Sequence, residues 1–469
     1  MTEIAPVEPA ENPNPKIVID PPRWLRFIIR RVADRATNPT KRARRRARAE
    51  AQRVKSGAPH VVEYFHQLDD PYSHLTAQIL AKFAARYDIV VRPHLINATG
   101  GKNQPRLAEL AVWAQRDAAL IAPHYGLSFP QNAPLTPDTE LQTLAANALA
   151  ALAPEEFLAE IEAMSTALWT GDAGFFAKRP APSGNGAGAR AAGSQRVADL
   201  NHYSGAMFYY AGEWYWGVDR LFYLEARLQE LAAQKDGVAD YLVPRPEIDV
   251  RDVDAGALTL DFYPSLNSPY TSIIYDKTIA VKNACNIGFN HKPVLPMIMR
   301  GVAATNAKGI YIFFDTKREG EFLGVPFGPV HTPIGDPTRA AYALLPWAYE
   351  QGKDEALMSS LLRAAWSENM PLHTKSGMRQ AVERAGLDWC EAQNQFKRDD
   401  WKQLIAEHQH EMVEGMGLWG VPSYRLSGPD GETDLMVWGQ DRLWLVAAEI
   451  RRRAGKPKGK STSKSGKKG

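Results

Sequence analysis

Residues 258–271 read Leu258-Thr259-Leu260-Asp261-Phe262-Tyr263-Pro264-Ser265-Leu266-Asn267-Ser268-Pro269-Tyr270-Thr271. The first six are rich in apolar and aromatic side chains, as a short buried strand is. Ser268-Pro269 is helix-start chemistry. A serine hydroxyl accepts from the free N–H groups of the first turn, and proline already has the φ that turn needs. The stretch therefore predicts a strand feeding a helix.

The same arrangement occurs once before. Val61-Val62-Glu63-Tyr64-Phe65 is followed by Asp69-Asp70-Pro71-Tyr72-Ser73, answering Asn267-Ser268-Pro269-Tyr270-Thr271. Two further landmarks repeat in order: Ala167-Leu168-Trp169 with Ala364-Ala365-Trp366, and Trp216-Gly217-Val218-Asp219-Arg220-Leu221 with Trp438-Gly439-Gln440-Asp441-Arg442-Leu443. Pro71 to Trp169 is 98 positions and Pro269 to Trp366 is 97, spacing that chance does not explain. From Trp169 to Gly217 is 48 positions against 73 from Trp366 to Gly439, so the first copy lacks about one helix there.

Each copy continues with a helical pattern (Leu75, Ile79, Leu80, Phe83 in the first) and a second strand, Ile89-Val90-Val91-Arg92-Pro93. A long helical stretch follows. A hairpin then closes the copy, with Tyr424-Arg425-Leu426 and Leu435-Met436-Val437-Trp438 about the turn Gly428-Pro429-Asp430-Gly431, before a last helix starting near Asp441. The fold class is α/β with two tandem units. The expected organisation is a Pro-rich leader and basic arm at 1–55, a first domain at 56–235, a linker at 236–256, a second domain at 257–452 and a disordered Lys-rich tail at 453–469. The Gly/Ala/Pro/Ser-rich segment 173–200 reads as a loop standing in for the missing element.

A length of 469 residues suits two cores, and 45% apolar with 23% charged residues is ordinary globular usage. The net charge of +3 hides a division: residues 1–55 carry +8, residues 451–469 carry +9 and the body between carries −14. Within the first arm, Trp24, Leu25, Ile28 and Val32 share a helical face. Such an arm suits nucleic acid, an anionic membrane, an acidic protein, or this chain's own acidic body. No apolar run is long enough to span a bilayer and no secretory leader is legible, so the expected compartment is a reducing cytoplasm. Cys285 and Cys390, 105 positions apart, exclude a zinc finger, a disulfide scaffold and the usual dithiol centre, and read as buried small residues. The histidines are scattered, so no metal is expected.

The ordered set of motifs resembles the DsbA-like thioredoxin-fold superfamily, in its branch of 2-hydroxychromene-2-carboxylate isomerases and kappa-class glutathione transferases. The second copy carries the fuller set: Asp261-Phe262-Tyr263, Ser268-Pro269-Tyr270, Lys308 with Tyr311 and Asp315, Gly324-Val325-Pro326-Phe327, Gly420-Val421-Pro422-Ser423 and Trp438-Gly439-Gln440-Asp441-Arg442. The first copy shows Asp70-Pro71-Tyr72-Ser73, Asn103-Gln104-Pro105, Trp169-Thr170-Gly171-Asp172 and Gly217-Val218-Asp219-Arg220. The resemblance implies two thioredoxin-like domains, each with a helical insertion, arranged as an internal pseudo-dimer.

It also implies glutathione as cosubstrate, with Ser268 donating to its thiolate as the catalytic residue. The helix N-terminus would favour that anion. Val421 and a cis Pro422 would position the peptide portion, Asp441 would hold the γ-glutamyl amine with Gln440 beside it, and Lys308 would meet a carboxylate. The first copy departs from the pattern: Asp70 replaces the serine, Met207 stands where the proline is expected, Leu110 answers Lys308, Asp219 answers Asp441, and Ser73 is the fallback hydroxyl. Arg220 and Arg442 read as packing or ion-pair residues. The implied activity is a glutathione-dependent isomerase or transferase acting on a hydrophobic electrophile. A non-catalytic thioredoxin-fold adaptor tethered by its basic arms, and a DsbA-like oxidoreductase, are the alternatives; the absence of a cysteine before either Pro-Tyr counts against the oxidoreductase.

Overall fold

A computed structural model describes residues 18–179, 183–235 and 240–454. The first 17 positions of the leader, and the tail from 455 onward, lie outside the described residues. Two basic helices come first, α1 (Arg23–Ala36) and α2 (Pro39–Ser56). The first unit then runs β1 (His60–Gln67), α3 (Pro71–Arg86), β2 (Ile89–Ile96), α4 (Leu107–Ile121), α5 (Thr139–Ala150), α6 (Pro154–Thr170), α7 (Ala173–Ala177), α8 (Gly186–Asp199), β3 (Met207–Tyr210), β4 (Glu213–Trp216) and α9 (Gly217–Glu230). The second unit runs β5 (Thr259–Tyr263), α10 (Pro269–Cys285), β6 (Gly288–His291), α11 (Asn306–Leu323), α12 (Asp336–Ala343), α13 (Leu345–Glu350), α14 (Asp354–Trp366), α15 (Lys375–Arg384), α16 (Trp389–Gln395), α17 (Asp400–His410), β7 (Ser423–Ser427), β8 (Leu435–Trp438) and α18 (Leu443–Ala454). No helix among the described residues is long and apolar enough to cross a membrane.

Each unit holds one four-stranded sheet, ordered β2-β1-β3-β4 and β6-β5-β7-β8. In both, the opening strand lies parallel to the strand after its helix and antiparallel to the closing hairpin. The helix starts form as their residues dictate. Asp70 accepts from the N–H groups of Tyr72 and Ser73, Ser268 accepts from that of Thr271, and a proline occupies the first turn of each helix. Leu75, Ile79, Leu80 and Phe83 of α3 are buried, as are Ile273 and Ile274 of α10.

Pairing register corrects one assignment. Tyr64 pairs with Phe208 as Phe262 pairs with Tyr424, so Met207 matches Ser423, and Ala206 takes the place of Pro422. The carbonyls agree: Gly217 donates to Ala206 O and Gly439 to Pro422 O. Val421-Pro422 is cis as expected. Ala206 instead has φ +54°, and Met207 packs in a small apolar cluster with Phe65, Ile96 and Val197.

The segment 173–200 is not a loop; it folds largely into α7 and α8. Its glycines serve close packing rather than freedom. A Cβ on Gly193 would lie 2.1 Å from Leu95 O, so this helix approaches β2 only because the position is bare. The second unit has three helices, α15 to α17, between its tryptophan and its hairpin, which accounts for the longer spacing there.

Cys285 is buried as expected, but Cys390 is exposed on α16. The described part of the expected linker is packed rather than loose: Val250, Val253 and Ala255 are buried, and Glu225 accepts from Leu242 N–H. The basic arm lies on the body. Arg46 binds Glu213 through two bonds of 2.8 and 2.7 Å, and Arg42 reaches Glu321 at 2.7 Å.

Candidate ligand site between the two units

One cavity of about 300 Å³ lies between the units and collects residues from both. The second unit contributes Ser268, Tyr270, Lys308, Val421, Gln440 and Asp441; the first contributes Asp70, Tyr72, Asn103, Trp113, Asp219 and Arg220. The starts of α3 and α10 therefore open onto a common space. Beside it Thr305 of the second unit donates to Asn103 Oδ1 of the first at 2.7 Å, and Trp113 packs on Trp438 with ring centroids 4.9 Å apart.

The cavity is floored by a reciprocal exchange of arginines. Arg220 bonds Asp315 of α11 through Nε and Nη2, each at 3.0 Å to Oδ2, and Asp441 Oδ2 through Nη1 at 2.7 Å. Arg442 bonds Asp117 of α4 at 2.8 and 2.7 Å and Asp219 at 2.8 and 3.1 Å. Two of these aspartates also accept a tyrosine hydroxyl at 2.8 Å, Asp117 from Tyr72 and Asp315 from Tyr270. Burial and the neighbouring carboxylate hold both phenols well above their ordinary range, so they remain donors. The second unit adds Glu319, which pairs with Arg245 at 2.6 Å and accepts from Tyr223 and Gln440. Although burial opposes it, the Arg220, Arg442 and Arg245 guanidiniums hold the Asp441 carboxyl well below the usual range.

Above this floor the candidate residues differ. Ser268 is buried, its hydroxyl 3.2 Å from Thr271 N and 3.4 Å from Val421 O, the latter contact long for an O–H donor. Lys308 is half-buried at the start of α11 and has no carboxylate within ion-pair range among the described residues; burial alone pulls its ammonium down to about 8. Asp441 has Oδ2 committed to Arg220, while Oδ1 stands 3.8 Å from Arg442. Tyr311 Oη, Trp419 Nε1 and Gln440 Oε1 are buried, without hydrogen-bond partners among the described residues, and belong to residues lining the cavity. Asp70 faces the same space, and burial pushes its carboxyl up to about 6.

Three expected site residues do not line the cavity. Pro422 follows Val421 with its carbonyl committed to Gly439, and Met207 lies in the adjoining apolar cluster, which shares Tyr311 with the cavity lining. Ser73 is not a fallback hydroxyl: it is fully buried, donates to Asp70 at 2.8 Å and accepts from Gln67 N and Ala206 N. Asp117 was not singled out from the sequence. Its signal was present in the repeat, since Leu110, Trp113 and Asp117 have the spacing of Lys308, Tyr311 and Asp315.

The sequence model of the DSBA-like thioredoxin domain family matches residues 259–451. Among solved structures, 2-hydroxychromene-2-carboxylate isomerase aligns at 19% identity over 41% of this chain and 95% of its own, with a TM-score of 0.35. The cytosolic disulfide reductase DsbM from Pseudomonas aeruginosa aligns at 15% identity over 41% of this chain and 97% of its own, with a TM-score of 0.31. No curated protein matches the chain.

Proposed function

We propose that the cavity between the units binds glutathione and uses its thiolate on a hydrophobic electrophile, as an isomerase or transferase does, a reading supported by the match of residues 259–451 to the DSBA-like thioredoxin domain family. The observation that carries the reading is the convergence of the Ser268-capped start of α10 with Lys308, a cation without an anionic partner among the described residues, in one largely apolar cavity. A helix start favours a thiolate through its free N–H groups. Lys308 suits a peptide carboxylate, and Val421 presents backbone next to the cis proline. Asp441 Oδ1 suits an ammonium group. The unpartnered polar atoms of Tyr311, Trp419 and Gln440 favour a ligand that is itself polar along part of its length.

In the first unit the equivalent position cannot act in the same way. Asp70 places a carboxyl, rather than a hydroxyl, at the start of α3, and an ionised carboxylate repels a thiolate. Asp70 also shares the cavity, so the chemistry belongs to the side of Ser268.

Calorimetry with glutathione tests the reading. Wild type is expected to bind, with Lys308→Ala weakening affinity roughly five- to tenfold, the scale of one charge-assisted contact. Ser268→Ala is expected to raise the pKa of the bound thiol, read from thiolate absorbance. No heat at millimolar glutathione would overturn the proposal, whereas an unchanged thiol pKa in Ser268→Ala would remove only the role of that serine.

A further inference from the structure

Helix α1, Arg-Trp-Leu-Arg-Phe-Ile-Ile-Arg-Arg-Val-Ala-Asp-Arg-Ala, is strongly amphipathic in sequence. An amphipathic helix lying on its own protein normally turns its apolar stripe inward. Here the stripe is turned outward. Trp24 is 64% exposed, Ile28 48% and Val32 62%, and these positions recur every four residues along one ridge. Phe27, 48% exposed, begins the adjacent ridge, which continues through the exposed Arg31 and Arg35.

The inward face is held by Arg26 and Ala33, with Leu25 and Ile29 half-buried beside them. Arg26 is 4% exposed and donates to Thr332 O at 2.9 Å and Ile334 O at 2.8 Å. Asp20, just before the helix, accepts from Asp336 N at 2.6 Å and pairs with Arg339 at 3.0 Å. These contacts fix which ridge faces out. A collapse that buried Trp24 would strip Arg26 of two bonds in a buried setting.

We propose that the outward face of α1 docks this protein on an anionic lipid bilayer, with Trp24, Ile28, Val32 and Phe27 entering the interfacial layer and the arginines meeting lipid phosphates. Trp and Phe with aliphatic neighbours, interleaved with arginine, is the composition of helices that lie in that layer. Arg30 and Arg31 already lie over the Phe27 ring, at 5.3 and 5.0 Å from its centroid, so their charges sit beside the apolar ridge. Charge complementarity points to the same surface. The exposed Arg44, Arg45 and Arg48 of α2 add to the attraction, while the body from 56 to 450 carries −14 and is repelled, so the arm meets the bilayer first. Nucleic acid would use the arginines but has no use for Ile28 and Val32, which cannot stack on bases.

The test uses the full chain with vesicles of phosphatidylcholine, alone or with about 30% phosphatidylserine. Wild type is expected to float with the anionic vesicles and much less with neutral ones. The variant Trp24→Ser/Ile28→Ser/Val32→Ser alters only exposed side chains, so its circular dichroism and Tm should match wild type, and its partitioning should fall roughly tenfold or more. Brominated lipid should quench wild-type fluorescence, and the quenching should be lost in Trp24→Phe although that variant still floats. Equal flotation of the triple variant would overturn the proposal, because the basic segments alone would then suffice. Indifference of wild type to both vesicles would overturn it too, as would a triple-variant defect confined to polyuridylate binding or to self-association measured by light scattering.

Discussion

Replacing Arg220 by methionine removes the cation that joins the first unit to Asp315 and Asp441 of the second. Arg220 is buried, and its loss strips Asp315 of all three of its close guanidinium bonds, leaving Arg318 at 3.7 Å and the Tyr270 hydroxyl. Asp441 is left with Arg442 at 3.8 Å, whereas Glu319 keeps Arg245 at 2.6 Å. Two carboxylates thus become under-compensated in a buried site, for which a loss of about 3–5 kcal/mol is the ordinary scale. Urea unfolding followed by circular dichroism measures it, and a cycle with Asp315→Asn isolates the pair, with a coupling of about 1–3 kcal/mol expected. The pH dependence has a defined sign. Folding depresses the Glu319 and Asp441 carboxyls, so their contribution is fully present above their unfolded values of about 4 and is lost as pH falls through the folded values. In the variant, protonation relieves an uncompensated buried carboxylate, so the penalty of Arg220→Met should be largest near neutrality and shrink toward about pH 4.5, where the wild type still holds its ion pairs. A penalty below about 1 kcal/mol at neutral pH, or one that does not change with acidification, would refute the assignment of this network as the joint between the units.

Asp70 should show the opposite sign. Burial raises its carboxyl to about 6, so its contribution is present below the unfolded value near 4 and is lost as pH rises through about 6. Asp70→Asn keeps an accepting cap, and should melt at a higher temperature than wild type above pH 6, with the gap closing toward pH 4; a gap that widens in acid would contradict this. Glutathione analogues methylated at sulfur should bind more weakly to wild type as pH rises through about 8, where Lys308 loses its charge, and calorimetry of Lys308→Met should show that dependence flattened. Gly193→Ala should cost about 1–3 kcal/mol by thermal melting, because its Cβ would meet the backbone oxygen of Leu95 at 2.1 Å; an unchanged Tm would show that α8 can move off β2.

Much of the architecture was legible because it rests on local rules. Helix starts declare themselves at Asp70-Pro71 and Ser268-Pro269, and the repeated spacing to the tryptophans and the Trp-Gly motifs placed the units. What failed was of a different kind. Gly186 to Asp199 looked like a loop because glycine has poor helix propensity, yet its bare positions are what let α8 approach β2. Met207 was one position off because a hairpin's register depends on its partner strand, not on its own residues. Cys390 is exposed because a short helix can carry it on its outer side, which composition does not report.

The candidate site divides along the same line. Ser268, Lys308, Val421, Gln440 and Asp441 were named from motifs, and so was the eroded character of the first unit. That Asp70 and Ser268 open onto one cavity, that Arg442 finds Asp117 325 positions away, and that α1 buries Arg26 while exposing Trp24 were decided only by the tertiary structure. The sequence by itself determined the two units, through capping chemistry and periodicity acting over a few residues. The packed chain decided the joint between them, because a buried charge takes whichever counter-charge the fold brings within about 3 Å, and sequence distance does not enter that choice.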